Sequence, residues 1–335
     1  MTAMKYATLL FVLLSIACGD DDTPSDGGSV VDAPHTDVAV EDTGPGDTVT
    51  ADVSAPSGRV NIRDAVFDER SGDCAAYAVS SIAEALDIQN DMGFEGLVDI
   101  EVGEEACTLS SNAIPNHDFN DASARFATNV GEIATSWEIP RNPTPAASPT
   151  ELGLQTYDGV MLNGVVLDLL AAGCFGVGDE RSGCNDIGTP YRFDPMSEAT
   201  GFGTDMHNAH TQPDGCYHYH GDPLAMYGEP EDGASGVIGF AADGYPIYGP
   251  YFDDGTVVRA ARSSYVLRSG ERDGGPGGTF DGTFVDDFLY DGSGDLDECN
   301  GMTVDGQYGY YVTNGYPWVL ACFRGTPDAS FNKRR

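Results

Sequence analysis

The chain has 335 residues, with 54 Asp and Glu against 16 Lys and Arg, for a formal charge of −38. Such an excess of negative charge argues against nucleic acid or an anionic lipid surface as a partner of the folded part and favours cations, although a saline habitat would account for the same acidity. Forty-three glycines and nineteen prolines leave little room for long helices, so the composition points to a mainly β protein with long loops.

Taken in order, the chain begins with Lys5, an apolar run from Ala7 to Leu14 too short to span a bilayer, and the small residues Ser15-Ile16-Ala17 ahead of Cys18. This is the layout of an export signal over residues 1–18. Its end resembles a bacterial lipobox, which implies lipidation at Cys18 and the membrane as a partner through that anchor. Residues 19–58 carry ten acidic residues, no Lys or Arg and almost no large apolar side chain, which predicts a disordered acidic tether. His35, within it, reads as solvated. Setting aside those ten acids and Lys5 leaves about −29 on residues 59–335, enough chain for one large β domain or two small ones. No later run is long and apolar enough for a transmembrane helix. The expected location is the outer membrane or cell surface, lipid-anchored, with the domain periplasmic or extracellular.

Within the domain, the alanine-rich stretch Cys74–Leu86 predicts one short helix. Leu97–Val102 alternates Val98, Ile100 and Val102 with Asp99 and Glu101, which predicts a strand, and Gly159–Leu167 reads as another. The expected fold is mainly β, sandwich-like or a partly open barrel, with long Gly/Pro-rich loops and at most one or two short helices. Beyond Cys18 there are seven cysteines, so at least one is unpaired, intermolecular or chemically active. Cys174–Cys184 and Cys299–Cys322 are the pairs suggested by proximity, since export permits disulfides; spacing alone does not fix connectivity.

Two internal echoes stand out. Asp214-Gly215-Cys216-Tyr217-His218-Tyr219 and Asp305-Gly306-Gln307-Tyr308-Gly309-Tyr310 both read Asp-Gly-x-Tyr-x-Tyr, and Asp243-Gly244-Tyr245-Pro246 is similar to Asn314-Gly315-Tyr316-Pro317. They suggest two similar turn-then-strand units. The tyrosines recur in both, which fits packing. The histidines occur in one, which fits a specific site.

Four of the six histidines fall between His207 and His220. On a strand Cys216, His218 and His220 share a face, and the turn signal Pro213-Asp214-Gly215 would fold His207 and His210 back toward them. Imidazoles so placed can converge on one ion, and imidazole with thiolate suits zinc or copper. The alternative is a hydrogen-bonding or pH-sensitive cluster.

Tyr217-His218-Tyr219-His220 resembles the signature of the YHYH-domain family of exported bacterial proteins. Further segments are similar to that family's in the same order over roughly 95–325: Ser111–His117, Asn163-Gly164-Val165, Gly239–Pro250 and Leu296–Gly301. The resemblance implies an extracytoplasmic, β-rich domain and little about activity. It adds His117 as a ligand candidate beside a hydrogen-bonded loop histidine, and Asp243 as a carboxylate orienting an imidazole beside a turn aspartate. Where the family usually has a cysteine, this chain has His207. That departure implies a missing or rewired disulfide, puts Cys174–Cys184 in question and makes Cys216 a candidate odd thiol.

The acidic stretch Asp291–Glu298 is oxygen-rich but lacks EF-hand spacing, so calcium is possible there and a solvated loop is the alternative. No nucleophile elbow, phosphate loop or His-Glu-x-x-His is present. Three functions remain: a metal-binding lipoprotein, a metal-dependent enzyme at the same site, and a non-catalytic module binding sugar or protein through Tyr245, Tyr248 and Tyr251.

Overall fold

The computed structural model describes residues 58–333. The expected export signal, Cys18 and all of the expected tether but Gly58 lie outside the described residues.

Five strands form the first sheet in chain order: β1 (Val60–Asn61), β2 (Ser80–Asp87), β3 (Met92–Val102), β4 (Ala106–Ser111) and β5 (Thr135–Pro140). All pairs are antiparallel except β1–β2. The period of two is plain in β4, where Cys107, Leu109 and Ser111 are buried and their neighbours are not. The strand expected at Leu97–Val102 is the second half of β3; Val98 and Ile100 face inward, while Val102 ends exposed.

The helix expected over 74–86 does not form. Cys74–Tyr77 makes a single 3-10 turn, capped by the Asp73 carboxylate accepting from the Ala75 N–H, and the chain continues as β2. The alanines that suggested a helix, Ala83 and Ala85, sit on the buried face of β2. Full-length pairing of β2 with β3 overrides alanine's local preference.

After β6 (Thr150–Glu151), the second sheet is built from β7 (Gly159–Met161), β8 (Val166–Leu167), β9 (Ala209–Thr211), β10 (Tyr217–Tyr219), β11 (Val237–Ala241) and β12 (Pro246–Tyr248). Two hairpins lie outside it, β13 (Tyr251–Asp253) with β14 (Val258–Ala260), and β15 (Tyr265–Leu267) with β16 (Phe288–Tyr290). β17 (Gly301–Val304) and β18 (Gln307–Tyr311) complete the sheet, and β19 (Cys322–Phe323) pairs with β6. The eight strands run β9-β10-β8-β7-β11-β12-β18-β17 and curl into an open half-barrel. The expectation of a mainly β fold holds, with no α-helix among the described residues and none that could cross a membrane. Gly159–Leu167 is a hairpin rather than one strand: Gly164 takes a φ of 84° in the turn between β7 and β8.

The strand pairing contains an approximate two-fold. β7 and β11 are antiparallel with Val160 opposite Phe240, Gly159 opposite Ala241 and Met161 opposite Gly239. Each half places a hairpin (β7–β8 or β11–β12) next to the centre and a second (β9–β10 or β17–β18) outside it in parallel contact. Asn163 then corresponds to Asp243, Asp205 to Asp297, and Tyr219 to Tyr310. The hydrogen bonds match: Asn163 Nδ2 donates to Tyr219 Oη at 2.9 Å, and Tyr310 Oη donates to Asp243 at 2.7 Å. Tyr217 Oη donates to Asp205 at 2.9 Å, and Tyr308 Oη to Asp297 at 3.1 Å. The Asp-Gly-x-Tyr-x-Tyr echo is therefore an internal repeat of structure. The Asp243/Asn314 echo is not, because the partner of Asp243 is Asn163.

One apolar core joins both sheets, with Val98, Leu109 and Trp137 from the first and Val160, Ile247 and Tyr310 from the second. Each such side chain contributes about 1.5–3 kcal/mol on burial. Disulfides Cys174–Cys184 and Cys299–Cys322 are present as proximity suggested, so the departure from the family's cysteine pattern at His207 does not displace Cys174–Cys184; Cys74–Cys107, which the spacing did not suggest, forms as well. Cys216 is the free thiol among the described residues, and it is buried.

Candidate metal centre

The turn at Pro213-Asp214-Gly215 sets the site. Gly215 has a φ of 91°, the Asp214 carboxylate accepts from the Cys216 N–H, and the Gln212 N–H donates to the Cys216 carbonyl. The resulting β9–β10 register puts His210 directly opposite His218, and His220 follows two residues later on the same face. Three imidazoles thus come from one strand-face pair and its cross-strand neighbour.

They converge through Nε2. His218 Nε2 lies 2.9 Å from His220 Nε2, which lies 3.0 Å from His210 Nε2. A tetrahedral ion with bonds of about 2.0–2.1 Å needs its nitrogens roughly 3.3 Å apart, so a small spreading of the rings accommodates one. The far sides of two rings fix their tautomers. His210 Nδ1 is 2.7 Å from the Gly203 carbonyl and His218 Nδ1 is 3.2 Å from the Cys216 carbonyl. A nitrogen facing a carbonyl must carry the proton, so both rings turn an Nε2 lone pair toward the centre. His220 Nδ1 is buried without a partner. Burial pushes His218 and His220 well below the ordinary histidine range, and the neighbouring His210 adds to the shift. The three rings converge with lowered pKa values, two of them oriented by backbone carbonyls, an arrangement that could hold a metal ion.

The triad opens onto a cleft of about 1020 Å³. Asp168 lies in the same cleft, its Oδ2 accepting from Lys333 Nζ at 2.5 Å and from Gln212 Nε2 at 2.6 Å. Behind it Asp158 accepts from the Leu169 N–H, while its other oxygen is buried and unpartnered. Burial, and then the Asp168 charge, raise the Asp158 carboxyl. The sequence reading passed over this pair; its signal was a charged residue inside the apolar run Val165-Val166-Leu167-Asp168-Leu169-Leu170.

The other candidates lie apart from the triad. His207 precedes Asn208, whose φ of 60° turns the chain, and it packs against His117 with ring centroids 3.9 Å apart and planes tilted by 40°. His117 is engaged on both nitrogens: Nδ1 donates to the Asp118 carbonyl at 2.8 Å, and Nε2 accepts from Tyr219 Oη at 2.6 Å. Burial pushes it down to about 3. By the two-fold, His207 corresponds to Cys299, so the outer hairpin of one half is tied by a disulfide and that of the other carries a tilted histidine pair. Cys216 is not in the ligand group; burial pushes its thiol up to about 12. Asp243 orients no imidazole. It sits in the other half, accepting from Tyr310 Oη and the Gly325 N–H, and backbone carbonyls orient the rings instead.

In the acidic stretch Asp295 pairs with Arg259 and Arg262, Asp297 accepts from Tyr308 and backbone N–H groups, and no candidate metal group falls there among the described residues. Tyr245 and Tyr248 are buried in the core, and Tyr251 is half-buried.

The family model described as "YHYH protein" matches residues 136–325, more than half of the chain. The Ser111–His117 segment falls outside that match, yet His117 bonds Tyr219 of the signature strand and Asn116 accepts from Asn163 Nδ2 of the β7–β8 turn at 3.1 Å. No curated protein and no solved structure matches the chain.

Proposed function

The chain belongs to the YHYH protein family, and from that premise we propose that it is an extracytoplasmic metalloenzyme holding one zinc or copper ion on His210, His218 and His220. The observation that carries this reading is a convergent three-imidazole face with no fourth His, Cys, Asp or Glu in the group among the described residues, set in a cleft. A storage or structural centre is closed by four protein ligands, whereas three ligands leave a position for water or substrate. The bound ion would supply Lewis acidity and an activated water if zinc, or electron transfer if copper. The three disulfides suit an oxidising compartment, and the resemblance of Ser15–Cys18 to a lipobox supports tethering through Cys18. The test is metal analysis of untagged protein. About one zinc or copper per chain is expected, removable by chelator with a fall in melting temperature. Metal-free protein whose stability ignores chelator defeats the reading.

A further inference from the structure

The charge of the cleft runs against that of the protein. Residues 59–335 carry about −29, yet the side chains lining the cleft include Arg125, Arg181 and Lys333 against the single acid Asp168. Asp168 is itself neutralised by Lys333. Arg70, Arg125, Arg181, Arg192 and Arg268 form no ion pair among the described residues, and of these Arg125 and Arg181, both exposed, line the cleft; Arg181 Nη1 donates to the Gly201 carbonyl at 3.2 Å. With carboxylates in such excess, two arginines without a carboxylate partner in one cleft point to an acceptor that comes from outside. The rest of the wall is apolar, with Phe126, Leu154, Leu170 and Phe202; the Arg181 guanidinium lies over the Phe202 ring at 5.7 Å, which fixes its plane beside that wall.

We infer that the cleft takes a small organic anion, a carboxylate or phosphate with an apolar body, whose charged group is held by Arg125 and Arg181 in the cleft onto which the triad opens. Guanidinium forks match planar oxyanions, and an ion on the triad would add a second positive centre. The overall negative field of the domain would repel such a ligand everywhere else, so the local reversal of charge is also the basis of selectivity. The inference rests on the metal reading for its chemistry, but the arginine contacts can be tested separately from it.

The test is calorimetric titration of the full chain, zinc-loaded and zinc-free, with benzoate and with benzamide, which share a shape and differ in charge. Benzoate is expected to bind about tenfold or more tightly than benzamide, weakening with salt. Arg125→Gln with Arg181→Gln should remove that preference while zinc stoichiometry stays at one per chain; both side chains are exposed, so the fold is not at risk. Equal affinity for the two probes, or a benzoate preference unchanged in the double variant, overturns the inference and leaves the metal reading standing. A preference that depends on the arginines in protein that binds no zinc sustains the anion site and defeats the metal reading.

Discussion

The two halves of the eight-stranded sheet share a topology and differ in what their equivalent positions carry. In the first, the face of the outer hairpin is His210, His218 and His220; in the second, the same positions are Met302, Gly309 and Tyr311. Asp158 corresponds to Ile238, Asp168 to Tyr248 and Gln212 to Val304. The second half is packed: Ile238, Tyr248 and Tyr311 are each no more than 2% exposed. The tyrosine-to-turn hydrogen bonds, Tyr219 with Asn163 and Tyr310 with Asp243, are kept in both. The frame is thus independent of the site. One half uses its inner face for stability, and the other gives that face to polar side chains that cost stability unless a ligand or partner satisfies them.

That contrast orders the expected effects. The largest follows from His218→Ala with His220→Ala, which leaves one imidazole: metal affinity should fall by about a thousandfold or more in equilibrium dialysis, whereas Met302→Ala, at the position equivalent to His210, should leave it within about twofold. Next is Asp243→Ala, which strips Tyr310 and the Gly325 N–H of a buried acceptor. Denaturant melts should show a loss of about 2–4 kcal/mol with metal content unchanged. A fall in metal content would mean the halves are not independent.

A smaller effect has a sign set by pH. Burial and the Asp168 charge raise Asp158 above its ordinary value, so the folded state keeps its proton longer than the unfolded chain does. The stability tied to that proton is present below the unfolded value near 4 and is lost as pH rises through the folded one. Asp158→Asn removes the loss. The variant's gain over the parent should be larger at pH 8 than at pH 5, by on the order of 1–2 kcal/mol. A gain that shrinks with rising pH would reverse the assignment. Smallest is Cys216→Ala: the thiol lies outside the ligand group, so metal affinity should stay within about twofold, and the parent's thiol should resist disulfide reagents at pH 8 until the protein unfolds.

Much of this was legible because it is local. The turn at Pro213-Asp214-Gly215 and the His218-x-His220 spacing specify a hairpin face without knowledge of the rest, and two disulfides lie close in sequence. What was hidden depends on partners far along the chain. His207 and His210 look alike as text, and only the left-handed Asn208 between them separates a ring packed against His117 from a ligand. Ala83 and Ala85 favour a helix by themselves and become strand because β3 pairs along their whole length. The match of Asn163-Gly164 to Asp243-Gly244 shares little but a turn glycine and appears only in the register of β7 against β11.

X-ray absorption at the metal edge of the untagged, zinc- or copper-loaded full chain tests the central claim most directly. Three imidazole nitrogens and one or two oxygen ligands, with no sulfur, are predicted. A sulfur at about 2.3 Å, or four imidazoles, would place Cys216, His117 or His207 at the ion and contradict a three-histidine centre open to the cleft.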